Sequence, residues 1–138
     1  MLMLSCESSN LRVLVVDDHD LTRLTLKLTF SCQENIQVVG LASNGQEAIE
    51  MVKDCHPDVI ILDLQMPVMD GWSASSQIKA ISPHTQILAY SSVEDVNSPD
   101  RKTTPLFDDV CKKDVPTDEL VALVRKLGKR AGDSSISQ

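Results

Sequence analysis

Short aliphatic runs alternate along this chain with longer stretches in which apolar positions recur every three to four residues. The runs Leu11 to Val16, Ile36 to Leu41, Val59 to Leu62, Gln86 to Tyr90 and about Asp109 to Lys112 have the length and composition of strands. Val59-Ile60-Ile61-Leu62 contains no polar position, the pattern of a strand covered on both faces. The intervening stretches read as helices. The first spans about Asp20 to Cys32, with Leu21, Leu24 and Leu28 forming one face. The second follows Ser43-Asn44-Gly45-Gln46, which fits the Ser-x-x-Gln capping pattern. Its stripe is Ala48, Met51, Val52 and Cys55, and Pro57 ends it by withdrawing a donor and restricting His56. A third spans about Gly71 to Ile81, with Ile78 and Ile81 turned inward and Ser82-Pro83 as its stop. The segment Val93 to Asp109 holds Pro99 and Pro105, which predicts a short or irregular fourth helix. The last helix begins near Thr117 with Asp118 and Glu119 in its first turn. It lines Leu120, Leu123, Val124 and Leu127 inward and ends by Gly128 or soon after.

Strands that alternate with helices predict an α/β fold of parallel strands joined by crossovers. Five such units give a flavodoxin-like, doubly wound five-stranded sheet of order 2-1-3-4-5, with its ligand crevice where strands 1 and 3 diverge. At 138 residues the chain suits one domain. Residues 11–130 form that domain, after a flexible tail at 1–10 and before a tail or linker start at 131–138. A net charge of −7 speaks against direct nucleic-acid binding, which draws on clustered Lys and Arg. No stretch reaches the ~20 apolar residues of a membrane span, and the N-terminus lacks the features of a signal peptide, so a cytoplasmic location is expected. Cys6, Cys32, Cys55 and Cys111 show no metal-ligand or CxxC spacing and read as free thiols.

Polar residues at the strand ends carry the chemistry. Asp63 closes the most apolar run, Asp17 and Asp18 follow the first, Ser91 ends the fourth and Lys113 ends the fifth. The order 2-1-3-4-5 brings all of these to one edge of the sheet, and clustered carboxylates invite a hard divalent cation. Taken singly, each has a plainer role. Asp17 and Asp18 suit the start of a helix, Lys113 a solvated surface, and Ser91 a helix cap that Ser92 could supply instead. His19, beside the acidic pair, reads as a supporting or solvent-facing group rather than a metal ligand.

In this order, Val15-Val16-Asp17-Asp18-His19, Asp63-Leu64-Gln65-Met66-Pro67-Val68-Met69-Asp70-Gly71, Ser91 and Lys113-Asp114 resemble the receiver (CheY-like) domains of two-component response regulators, over about residues 11 to 130. Asp-Asp-His and the Pro-Thr-Asp-Glu-Leu after Lys-Asp look most like the NarL/FixJ branch. The resemblance implies that Asp63 accepts a phosphoryl group from a sensor histidine kinase or phosphotransfer protein. It implies Mg2+ or Mn2+ held by Asp18, Asp63 and the backbone carbonyl of Gln65, with Asp17 acting through water. Lys113 and Ser91 would bind the phosphoryl oxygens and take part in switching. The only activity implied is the domain's own phosphorylation and slow self-dephosphorylation. A homodimer and a DNA-binding domain beyond this chain are further partners that the resemblance suggests.

Two departures from the family pattern stand out. The aromatic expected three residues before Lys113 is Val110, and the segment 93–109 lacks the usual small residues. Tyr90 is the alternative aromatic for a switch. A phosphate-independent pseudo-receiver is therefore the competing function. A hydrolase of the haloacid-dehalogenase kind needs a second acid two residues after the nucleophile, where this chain has Gln65.

Overall fold

A computed structural model of the chain describes residues 10–66, 68–91 and 107–136, with side chains as far as residue 131. Five strands, β1 (Leu11–Val16), β2 (Ile36–Ala42), β3 (Val59–Asp63), β4 (Gln86–Ser91) and β5 (Asp109–Lys112), form one sheet of order β2-β1-β3-β4-β5. Every pairing is parallel. The helices among the described residues are α1 (Asp20–Ser31), α2 (Gly45–Cys55), α3 (Gly71–Ile81) and α4 (Thr117–Ile136). The expected irregular fourth helix falls mostly on 92–106, outside the described residues.

The alternation of side chains across the sheet sorts the core into two layers. Val13, Val15, Val59, Ile61, Leu88 and Tyr90 pack on one face with Leu26 and Phe30 of α1 and Leu120, Val124 and Leu127 of α4. Leu14, Val16, Ile60, Leu62 and Ile87 pack on the other with Ala48 and Val52 of α2 and Ala74 and Ile78 of α3. All four residues Val59 to Leu62 are fully buried. At ~1.5–3 kcal/mol for each buried aliphatic side chain, this strand is firmly held, and it fixes where Asp63 emerges.

Four local expectations differ from what is observed. In α1, Leu21, Leu24 and Leu28 are 75%, 50% and 56% exposed, and the helix docks through Leu26 and Phe30 instead. Both sets have helical spacing, so periodicity alone does not say which one faces the sheet. The cap of α2 lies one residue later than the capping pattern suggests: Asn44 accepts from the Glu47 N–H at 2.9 Å. The Glu47 carboxylate in turn accepts from the backbone and hydroxyl of Ser43, which holds its pKa below the ordinary value. In α3, Ala74, Ser75 and Ile78 face inward, while Ile81 is largely exposed.

The last helix runs on to Ile136, past Gly128. Gly128 does not cap it. A Cβ there would lie 2.3 Å from Leu11 Cδ1, so the glycine serves close packing of α4 on β1, at a cost of about 1 kcal/mol in helix propensity. Cys32, Cys55 and Cys111 are free, as expected. Burial pushes the Cys111 thiol up to about 11, which marks it as a packing residue.

Candidate functional site

The C-terminal edge of the sheet gathers the polar residues. β1 and β3 pair in register from Val13↔Val59 to Val16↔Leu62, so Asp17 and Asp63 leave adjacent strands side by side. Asp17 is fully buried, and its backbone N–H donates to Ala42 O at 3.0 Å. Its Oδ1 accepts from the His19 backbone N–H at 2.9 Å, which folds the chain back so that Asp18 also faces the rim. On the other side, β4 and β5 pair as Ser91↔Lys112, and the Lys113 N–H donates to Ser91 O at 2.9 Å. This bond places the lysine beside the end of β4. The Lys113 ammonium then reaches back, 3.1 Å from Asp17 Oδ2 and 3.4 Å from Asp63 Oδ1.

Asp63 is 2% exposed. Its Oδ1 accepts from the Gln65 backbone N–H at 3.3 Å, and its Oδ2 has no hydrogen-bond partner. Burial, followed by the Asp17 charge, raises its pKa to about 6, against the opposing pull of Lys113 and the Gln65 N–H. Burial also opposes the charge on Lys113, but Asp17 and Asp63 outweigh it and hold that pKa above the ordinary value.

One ammonium therefore pairs with the carboxylates of Asp17 and Asp63, and the Asp18 carboxylate lies beside them. Ligand atoms from these residues and His19 lie within 4.8 Å of one another. The orphaned Asp63 Oδ2 and the surplus of negative charge fit a hard divalent cation, for which carboxylate oxygens are the natural donors. No ion pair recorded among the described residues neutralises all three acids.

Asp17, Asp18, Asp63 and Lys113 thus converge, and Ser91 lies fully buried at the neighbouring strand end. The Gln65 backbone borders the pocket through its N–H. Tyr90 turns into the core, donates its hydroxyl to Lys113 O at 3.4 Å, and lies with its ring centre 5.9 Å below the ammonium. Val110 stands apart, half-buried and paired with Ala89.

Two contributors had no role in the site assigned from the sequence. Gly71 opens α3 directly against the acid: a Cβ there would lie 2.5 Å from Asp63 O and 2.7 Å from Leu64 Cα. A glycine ahead of a helix carries no such signal by itself. Arg23 holds the turn after β1 by donating to Asp17 O at 2.6 Å and pairing with Asp20.

A doubly wound parallel sheet with carboxylates and a lysine gathered at its C-terminal edge is the arrangement expected of a receiver domain, and the comparisons agree. Residues 13–125 match the family model of the response regulator receiver domain, and the chain belongs to that family. The response regulator protein VraR of Staphylococcus saprophyticus is 32% identical over 116 residues, covering 84% of this chain and 56% of that protein. A protein-glutamate methylesterase/protein-glutamine glutaminase of Methanosarcina acetivorans is 41% identical over 83 residues, covering 60% of this chain and 24% of that protein. Among solved structures, the signal receiver domain of the putative response regulator NarL from Mycobacterium tuberculosis superposes with a TM-score of 0.78 at 31% identity, covering 88% of this chain and 98% of that one.

NarL-like and methylesterase relatives thus appear together. The chain spans about half of VraR and about a quarter of the methylesterase. Among the described residues no helix is long and apolar enough to cross a membrane.

Proposed function

We propose that Asp63 is the phosphoacceptor. The observation that carries this reading is a buried carboxylate at the end of β3 whose Oδ2 is unpartnered while Lys113 holds its Oδ1. An oxygen of Asp63 attacks the phosphorus of a phosphohistidine, the P–N bond breaks, and the leaving imidazole takes up a proton. Mg2+, or Mn2+, when bound, would supply neutralisation of charge between the two anions. Asp18, Asp63 and the Gln65 carbonyl would hold it, with Asp17 acting through water. Lys113 pairs with one phosphoryl oxygen as a point charge and Ser91 donates to another. Much of the work of these residues is positioning and electrostatics. The activity is confined to this self-modification and its slow reversal.

The partner is a histidine kinase or phosphotransfer protein, acting in the cytoplasm. The leucine stripe of α1 supports its docking, because that helix begins at the pocket rim and presents Leu21, Leu24 and Leu28 to solvent. Phosphorylation then shifts a pre-existing balance of two conformations, through contacts made in only one of them. With Val110 aliphatic, the aromatic that registers a move of Lys113 is Tyr90. The output is a changed partner or dimer contact, passed to a DNA-binding or other effector domain of the whole protein.

Reduction with borohydride after phosphorylation tests the assignment chemically. An acyl phosphate at Asp63 is converted to homoserine, so the peptide spanning residue 63 should carry that change. Conversion at Asp17 or Asp18, or at no residue, refutes it.

A further inference from the structure

We propose that His19 is a further metal ligand, whose Nδ1 joins the carboxylates to hold a borderline first-row cation (Co2+, Ni2+ or Zn2+) more tightly than the hard Mg2+. This rests on the reading that the acids bind a divalent cation. Nδ1 lies 3.1 Å from Asp17 Oδ1 and 3.1 Å from Asp18 Oδ1. Neighbouring ligands of an octahedral ion with ~2.1 Å bonds sit about 3 Å apart, so the ring nitrogen lies at ligand-to-ligand spacing from both carboxylates. The buried, unpartnered Asp63 Oδ2 on the neighbouring strand β3 supplies an independent sign that the cluster is built for a ligand.

The recorded contacts of the His19 ring are with the Asp17 and Asp18 carboxylates. His19 is the residue before α1 yet makes no side-chain cap bond, and it is exposed. Coordination by Nδ1 places the ring proton on Nε2; in the metal-free protein Nδ1 can instead carry the proton and donate to the carboxylates. Imidazole prefers Co2+, Ni2+ and Zn2+ over Mg2+, whereas carboxylates alone discriminate far less. A receiver of this kind takes different ligand sets with different cations. Mg2+ binds through oxygen alone, and a borderline ion recruits the histidine.

The test titrates the 138-residue chain and its His19→Ala and His19→Gln variants with Mg2+ and, separately, Co2+. Calorimetry gives affinity, and proton NMR of the Co2+ complex reports the ligand. The expected result is a Co2+ affinity at least about tenfold weaker in both variants, with Mg2+ affinity changed by less than about twofold. A strongly shifted, solvent-exchangeable imidazole N–H signal should be present in the unmodified chain and lost from both variants.

Unchanged Co2+ affinity overturns the proposal, as does a shifted signal that survives substitution and so belongs to His56 or His84. Equal weakening of both ions also overturns it, because His19 then acts on the charge or shape of the site and not as a ligand. If the unmodified chain binds neither ion, the cation site itself is refuted and this proposal falls with it.

Discussion

Replacing Asp63 with asparagine is expected to make the metal-free protein more stable at neutral pH. The side chain keeps its shape and loses a charge that the fold holds at a cost. Burial and Asp17 raise its pKa from an ordinary 3.8 to about 6. At ~1.36 kcal/mol per pH unit, holding the ionised form costs at most roughly 3 kcal/mol, and solvent screening at the rim reduces this to about 1–2 kcal/mol. Because the folded pKa lies above the unfolded one, the folded state binds the proton more tightly. The penalty is absent below about pH 4, grows as pH rises through about 6, and is complete at neutral pH.

Urea unfolding in EDTA should therefore place Asp63→Asn above the wild type at pH 7.5, with the gap falling to roughly half at pH 5. With Mg2+ in excess the order should reverse: the wild type gains about 2.7 kcal/mol at a hundred times Kd, and the variant has lost a ligand. An Asp63→Asn protein less stable than the wild type in EDTA at pH 7.5, or a gap indifferent to pH, would refute this electrostatic account.

Other expectations follow from local geometry. Val68 holds φ 71 as a β-branched residue and is 81% exposed, so Val68→Gly relieves left-handed strain without loss of packing. Against the greater unfolded-state freedom of glycine, a net gain of about 0.5–1 kcal/mol in urea unfolding is expected, and a loss would show that the turn is not strained. Gly71→Ala forces a Cβ against the backbone of Asp63 and Leu64. It should cost about 1–3 kcal/mol in stability and weaken Mg2+ binding measured by calorimetry, with no change in either counting against the close approach. The double substitution Leu24→Glu and Leu28→Glu should slow phosphoryl transfer from the histidine-kinase donor about tenfold or more while leaving labelling by acetyl phosphate unchanged. Equal rates from the kinase would remove the α1 stripe as its docking surface.

The fold was readable because parallel strands leave a strong trace. Val59 to Leu62 carries no polar residue since both of its faces are covered, and the acids and lysine fall where such strands end. What the pattern did not resolve was orientation. Leu21-Leu24-Leu28 and Leu26-Phe30 are both apolar and helically spaced, and only the approach of α1 to β1 and β2 decides which is buried. Ser43 and Asn44 both qualify as caps, and the pairing of Asn44 with Glu47 settles the choice. Gly128 reads as a stop until Leu11 is seen to need the space.

In the site, the residue types and strand ends marked Asp17, Asp18, Asp63 and Lys113. The distance of His19 Nδ1 from the two carboxylates depends on the fold-back after β1, which no residue pattern encodes. The direction of Tyr90 likewise follows from the facing of β4 rather than from its identity.

The central claim is that the rim acids and Lys113 make Asp63 a metal-dependent acceptor of phosphoryl groups. Intact-mass spectrometry after incubation with acetyl phosphate tests it most directly, with Mg2+ or with EDTA, on the wild type and Asp63→Asn. One phosphoryl adduct should form on the wild type with Mg2+, and none should form in EDTA or on the variant. No adduct on the wild type, or the same adduct on Asp63→Asn, would contradict the account.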